Sequence, residues 1–258
     1  MKTISEQLCR KVLKGLYFAQ DARLSAERLA DKYKLISSDF TFIDDPVWDT
    51  QCFMLLMRDG ELLISFRGSQ QARDWITDFA GWTVPYSNKE TKIKLHWGFN
   101  QAYCHYARGQ IHKFISLHSK NIKMITITGY SLGGSLATLC AVDLEYNNII
   151  DKNLIEVFCA GNPKVGNKEF VDSFNKRVPK CWRTFNVNDI VPSMPPSIMG
   201  YQHAGLENPW GVKNPLSGII EYFKCKELRK RSKFDMGDVV NHEINSYILY
   251  FERKLKSL

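Results

Sequence analysis

The stretch ITITGYSLGGSLATLCAV, residues 125–142, sets a serine, Ser131, between two hydrophobic patterns of different period. Before Ser131, the run KMITIT is short and rich in β-branched residues, the signature of a strand that ends at Gly129. From Leu132 onward, Leu136, Ala137, Leu139, Cys140, Ala141, Val142 and Leu144 leave no polar face, which predicts a helix covered on both sides. Gly129-Tyr130-Ser131-Leu132-Gly133 therefore lies at a strand-to-helix junction, and in that context the G-x-S-x-G pattern reads as a nucleophile elbow. A turn this tight holds the serine at strained dihedrals, and side chains two positions to either side would collide with strand or helix; glycine removes the collision.

A bare hydroxyl attacks poorly at neutral pH, so Ser131 needs a histidine to take its proton and a carboxylate to orient and stabilise that histidine. In α/β-hydrolases the chain order is serine, acid, histidine. Downstream of Ser131 stand His203 and His242, and the acids include Asp143, Asp151, Asp172 and Asp189. Asp143 falls on the helix after the elbow, and Asp151 and Asp172 fall in exposed stretches. Asp189 follows CWRTFNV, where the carboxyl end of a strand would hold it. We read Asp189 as the acid and His242, in VVNHE before the final helix, as the base, with His203 in GYQHAG as its rival. The oxyanion of an acyl-transfer intermediate needs two donors. The backbone N–H of Leu132 is one; Ser69, after Gly68 in ISFRGSQ, is the candidate for the other.

Outward from the elbow, a first helix carries Ile4, Leu8, Val12 and Leu16, with Thr3 and Glu6 as a possible capping box. FMLLM and ELLISF flank Arg58-Asp59-Gly60 and predict a hairpin. Residues 99–119 predict a helix, IEVFCA a further strand, and residues 244–255 a docking helix with Ile244, Tyr247, Ile248, Phe251 and Leu255 on one stripe. Strands separated by helices imply an α/β fold with a mostly parallel central sheet flanked by helices, and no linker or repeat divides residues 1–258, so a single domain is expected.

The chain has 258 residues, of which 44% are hydrophobic, enough for a sizeable core. Glu6, Arg10 and Lys11 interrupt any apolar signal region, and no run approaches the roughly 20 apolar residues of a membrane span. Seven cysteines without a C-x-x-C pair read as reduced thiols, so an intracellular, cytoplasmic protein is expected, without zinc, other metal or cofactor. The net charge of +8, concentrated in KCKELRKRSK at residues 224–233, favours peripheral contact with an anionic membrane surface; nucleic acid has no support beyond the charge. Nothing indicates an oligomeric state.

Seven pieces in order, FRGSQQARDWITDF (66–79), HWGFNQAY (96–103), TGYSLGGSLA (128–137), AGNPKVGN (160–167), NVNDIVPSMPP (186–196), YQHAG (201–205) and His242, resemble the class 3 lipases, the family of the fungal triacylglycerol lipases. The resemblance covers residues 53–247 and implies the α/β-hydrolase fold. It assigns Ser131 as nucleophile, Asp189 as acid, His242 as base, and Ser69 with the Leu132 amide as oxyanion donors. It also implies a short lid over residues 70–77, with Arg73, Trp75 and Ile76, and a steadying role for Asp78; His96 and His203 match structural positions. Two features depart from the family: Asn241 rather than Asp precedes His242, and the following tyrosine is Tyr247 rather than an aromatic three residues on. The expected activity is hydrolysis of a lipid ester, an acylglycerol, through an acyl-enzyme. The alternatives are a phospholipase A1 or galactolipid acylhydrolase, and a silent member that binds membranes or partners.

Overall fold

In the computed structural model, which describes residues 4–68, 83–85, 92–211 and 242–258, the apolar runs pair into a seven-stranded sheet. Its strands are β1 (Ser37–Asp45), β2 (Thr50–Met57), β3 (Glu61–Phe66), β6 (Met124–Tyr130), β7 (Ile155–Ala160), β9 (Cys181–Asn186) and β11 (Leu206–Trp210), adjacent in that order. The first three are antiparallel; β3, β6, β7, β9 and β11 run parallel. A smaller sheet joins β4 (Thr83–Pro85), β5 (Lys94–His96), β8 (Gly166–Asn167) and β10 (Tyr201–Gln202). The β2–β3 hairpin turns where Asp-Gly predicts it, with Gly60 alone at positive φ, +95°.

Helices cover both faces, which is why the strands read as near-continuous apolar runs rather than alternating ones. On β2, Phe53 and Leu55 point to one face with Tyr33 of α2 (Ala26–Tyr33), while Cys52, Met54 and Leu56 join the main core on the other. The first face also carries α1 (Glu6–Asp21) and the C-terminal helix α7 (Ile244–Lys256), packed together through Cys9, Val12, Leu16, Ile248 and Phe251. The second face carries α3 (Trp97–Ala102), which passes through a π-helical turn (Tyr103–Ala107) into α4 (Arg108–His118), together with α5 (Leu132–Tyr146) and α6 (Lys168–Arg177). Helix α5 is buried along nearly its whole length, as its all-round apolarity predicts.

Two local readings are corrected, and one strand is added. The cap of α1 is Ser5, whose hydroxyl accepts from Leu8 N at 3.2 Å, and Thr3 lies outside the described residues; Glu6 instead pairs with Arg10 one turn on. The helix predicted over 99–119 begins two residues earlier, capped by His96 Nδ1 accepting from Phe99 N, and its π-helical turn is accommodated by Thr50 Oγ1, which donates to Ala102 O. Strand β11, LENPW, carries no strand pattern in sequence because among the described residues it pairs on one side only, with β9, and tolerates Pro209 at that edge.

Candidate active site

Ser131 follows β6 at φ +58°, ψ −129°, a backbone conformation that a non-glycine residue enters only under strain. Its amide is anchored by Ala160 O at the end of β7, 2.9 Å away. The glycines make the turn possible. A Cβ at Gly129 would stand 2.2 Å from Gly133 C, one at Gly133 2.3 Å from Phe66 O, and one at Gly134 2.7 Å from Asn162 Cβ. Helix α5 thus lies against β3 and the loop after β7 at a distance no larger side chain permits, and Ser131 is held rigidly where β6 ends.

His242, two residues before α7, reaches this point from the far end of the chain. Its Nε2 lies 2.8 Å from Ser131 Oγ and its Nδ1 2.6 Å from Asp189 Oδ2. Asp189 sits three residues beyond β9, and Val191 N donates to its other oxygen at 2.9 Å. All three are buried, with relative exposures of 2% for Ser131, 4% for Asp189 and 8% for His242, so their mutual attraction is little screened by water. The structure thereby brings together the three side chains singled out in the sequence, at separations that permit proton transfer from hydroxyl to imidazole.

Two further side chains at this site were not selected from sequence. Tyr247, on α7, donates its hydroxyl to Asp189 Oδ2 at 2.6 Å and accepts from Asn186 N at 3.1 Å. Burial, and the Asp189 carboxylate beside it, hold the Tyr247 phenol far above the ordinary tyrosine range, so it remains a donor. Tyr130 stacks its ring on the His242 imidazole. In sequence Tyr130 stands only as the variable residue of G-x-S-x-G and Tyr247 as a stripe residue and the tyrosine after the base, because their roles at the site depend on which helix meets which strand.

Lys164, buried in the loop after β7, is positioned to hold the loop that carries Asp189: its Nζ donates to Ser193 O and Pro195 O, and its amide donates to Met194 O at 2.7 Å. His203 lies against the same loop, with Nε2 on Pro192 O. Burial, reinforced by Arg183, pushes the His203 imidazole well below its ordinary range, and burial pushes His96 down to about 4, so both rings are neutral. Neither touches Ser131. Asp143 is taken up elsewhere: it accepts from Tyr103 Oη, Arg108 Nε and Asn147 Nδ2 and lies 2.6 Å from His112 Nε2, tying α5 to α4 and the π-helical turn. Asp151 caps a short 3-10 turn through Asn153 N, and Asp172 pairs with Lys168.

Leu132 is the first residue of α5, where the backbone N–H has no acceptor within the helix. A Cβ at Gly68 would lie 2.8 Å from Tyr130 O and 3.3 Å from Ser131 Cβ, so the chain after β3 runs directly against the elbow. Ser69, Arg73, Trp75, Ile76, Asp78, Asn241 and the basic segment 224–233 lie outside the described residues. Among the described residues no cluster of His, Cys, Asp or Glu is arranged to hold a metal, and no helix is long and apolar enough to cross a membrane.

The family described as Lipase (class 3) matches residues 63–199. A lipase of Rhizomucor miehei is 33% identical over 178 residues, 65% of this chain and 47% of the relative. A secreted mono- and diacylglycerol lipase of Malassezia globosa is 33% identical over 135 residues, 51% of this chain and 43% of the relative. The chain spans about half the length of the curated relatives it matches. A solved structure, described as a triacylglycerol lipase whose catalytic centre is a serine protease triad, superposes with a TM-score of 0.72 at 24% identity, covering 80% of this chain and 81% of that one, and establishes the shared α/β-hydrolase fold.

These findings overturn the cytoplasmic assignment, because relatives named as secreted point to an extracellular protein. The cysteine argument failed for a physical reason. Cys9, Cys52, Cys140, Cys159 and Cys181 are buried as small apolar side chains and report packing, not redox compartment.

Proposed function

Since the chain belongs to the class 3 lipase family, we propose that it is a serine hydrolase of carboxylic esters whose substrate is an acylglycerol, encountered outside the cell. One observation carries the reading: the continuous hydrogen-bonded series Ser131 Oγ, His242, Asp189, built on an elbow that the chain maintains at strained dihedrals. Strain at a buried serine is costly to folding, persists where the surrounding structure over-determines it, and concentrates at active sites, which supports a nucleophile here.

In the mechanism, His242 Nε2 accepts the Ser131 proton as Oγ attacks the ester carbonyl carbon, and Asp189 holds the Nδ1–H and the positive charge that develops on the ring. The Leu132 amide stabilises the oxyanion, with Ser69 as second donor; the close approach of Gly68 to the elbow supports this role for the next residue. The intermediate collapses to an acyl-Ser131 ester, and His242 returns the proton to the departing alcohol. Water, deprotonated by His242, then attacks the acyl carbon and releases the fatty acid, restoring Ser131.

Arg73, Trp75 and Ile76 belong to a lid in this reading, and the net charge of +8 supports adsorption to anionic lipid surfaces. The decisive experiment assays mono-, di- and triacylglycerols, phospholipids and p-nitrophenyl esters with the wild type and Ser131→Ala, alongside labelling by a fluorophosphonate. Ester hydrolysis and labelling that both vanish in a folded Ser131→Ala protein are expected. Full turnover in that variant would sink the proposal, and preference for phospholipid would reassign the substrate.

A further inference from the structure

Tyr130 occupies the variable position of G-x-S-x-G, directly before the serine, and its place in the fold goes beyond spacing. Its ring centroid lies 4.8 Å from that of His242, with the planes 21° apart, and it meets Tyr247 edge-on at 5.6 Å. Gly161, at φ +58°, makes the assembly possible: a Cβ there would stand 3.0 Å from Tyr247 Oη, 3.1 Å from Tyr130 Cε2 and 3.2 Å from His242 Cε1. Three rings converge where one residue has no side chain. Tyr130 belongs to the core cluster that α1 and α7 form with Val12, Leu16, Ile244 and Tyr247.

The hydroxyl of Tyr130 is buried without a hydrogen-bond partner among the described residues, and burial holds its ionisation well above the ordinary range. It is a neutral phenol with no proton to trade, which leaves the ring as the chemically relevant part. When His242 takes the Ser131 proton it becomes a cation whose side chain is only 4% exposed, so water cannot solvate the new charge. Asp189 meets that charge in the plane of the imidazole; the negative face of the Tyr130 ring meets it from above.

Resting on the hydrolase reading above, we propose that Tyr130 is a positioning residue for His242: its ring fixes the plane of the imidazole between Ser131 and Asp189 and favours the imidazolium that forms as Ser131 attacks. The groups that face this stack among the described residues are Asp189 and Glu243, which favour the cation, Arg23, whose guanidinium lies 5.8 Å from the Tyr130 centroid and opposes it, and the neutral phenol of Tyr247. A ring contributing a cation–π contact of ordinary strength changes the imidazolium population about three- to thirtyfold.

The test compares wild type, Tyr130→Phe, Tyr130→Leu and Tyr130→Met, the last in case leucine does not fold. The titration of His242 is followed by NMR in the Ser131→Ala background, which requires no turnover, and kcat/KM is followed against pH with p-nitrophenyl butyrate. Loss of the ring removes a preference for the protonated form, so the leucine and methionine variants titrate lower by about half a unit or more, the acid limb of kcat/KM moves down with them, and turnover falls about three- to thirtyfold. Phenylalanine restores most of both. Leucine and methionine variants that titrate and turn over like wild type, or a phenylalanine variant that falls as far as they do, would overturn the proposal. An inactive wild type that resists fluorophosphonate would count against the hydrolase reading and leave the titration to decide Tyr130.

Discussion

The Tyr247 hydroxyl donates to the same oxygen of Asp189 that faces His242 Nδ1, at 2.6 Å in each case. One carboxylate oxygen is therefore held by two side chains, His242 just before α7 and Tyr247 on it, so the C-terminal segment supplies both the base and the restraint. Tyr247→Phe removes that donor and leaves Asn186 N without its acceptor. The expected cost is about 1–3 kcal/mol in stability, with kcat reduced about tenfold as the carboxylate gains freedom. Chemical denaturation and steady-state kinetics on the same preparation read both.

Asp143 and Asp189 are both buried acids beside a histidine, and replacement separates them. Asp189→Asn should leave a folded protein with kcat lower by about 10⁴, because the amide no longer holds the imidazole in the required tautomer. Asp143→Asn should destabilise by roughly 2–4 kcal/mol, through Arg108 and His112 losing their anion, while turnover per folded molecule changes little. A large loss of kcat with unchanged melting temperature in Asp143→Asn would contradict the assignment.

At φ +58° the strain of the elbow is measurable as stability. Ser131→Gly relieves a cost of about 1–3 kcal/mol and forfeits part of it to the greater entropy of the unfolded chain. The net expectation is an inactive protein that is more stable than Ser131→Ala, which keeps the strained backbone. Thermal melts of the two variants side by side decide it.

Alanine at Gly133 would place a Cβ 2.3 Å from Phe66 O, backbone that cannot swing aside, whereas Gly109 in α4 has nothing within 4 Å. Gly133→Ala should fail to fold or lose more than about 4 kcal/mol. Gly109→Ala should gain about 0.5–1 kcal/mol. Soluble yield and urea midpoints report the contrast.

The neutral His96 and His203 set an acid limit. Folding depresses the His96 pKa from 6.5 to about 4, so below 6.5 the unfolded chain binds a proton that the native state refuses. Stability contributed by this ring is complete above 6.5 and is lost as pH falls toward 4, a change of roughly 3 kcal/mol. His203, also depressed, acts in the same direction. Urea midpoints measured between pH 7 and 4 should fall, and fall less in His96→Gln.

What could be read before the chain was folded follows from distance along it. The elbow, its glycines and the helix behind it occupy residues 125–142, and the collision that Gly129 avoids, with Gly133 and Gly134, is implied by the change from strand to helix period, whereas Gly133 avoids Phe66 O and Arg67 O, which only the fold brings near. The cap lies at Ser5 rather than Thr3 because both residue types can cap and the register is settled by which stripe α1 buries. Strand β11 stayed invisible because its pairing partner, not its own pattern, makes it a strand.

Local periodicity and turn chemistry alone determined the parallel α/β layering and the serine at the strand-to-helix turn, since both arise from interactions within a few residues. His242 and Asp189 could be selected from their places along the chain, but their convergence on Ser131, and the recruitment of Tyr247 and Tyr130, required the packed molecule. Hydrogen bonds and ring contacts act over a few ångströms, and only the docking of α7 across β6 and β9 brings groups 53 to 111 residues apart within that range.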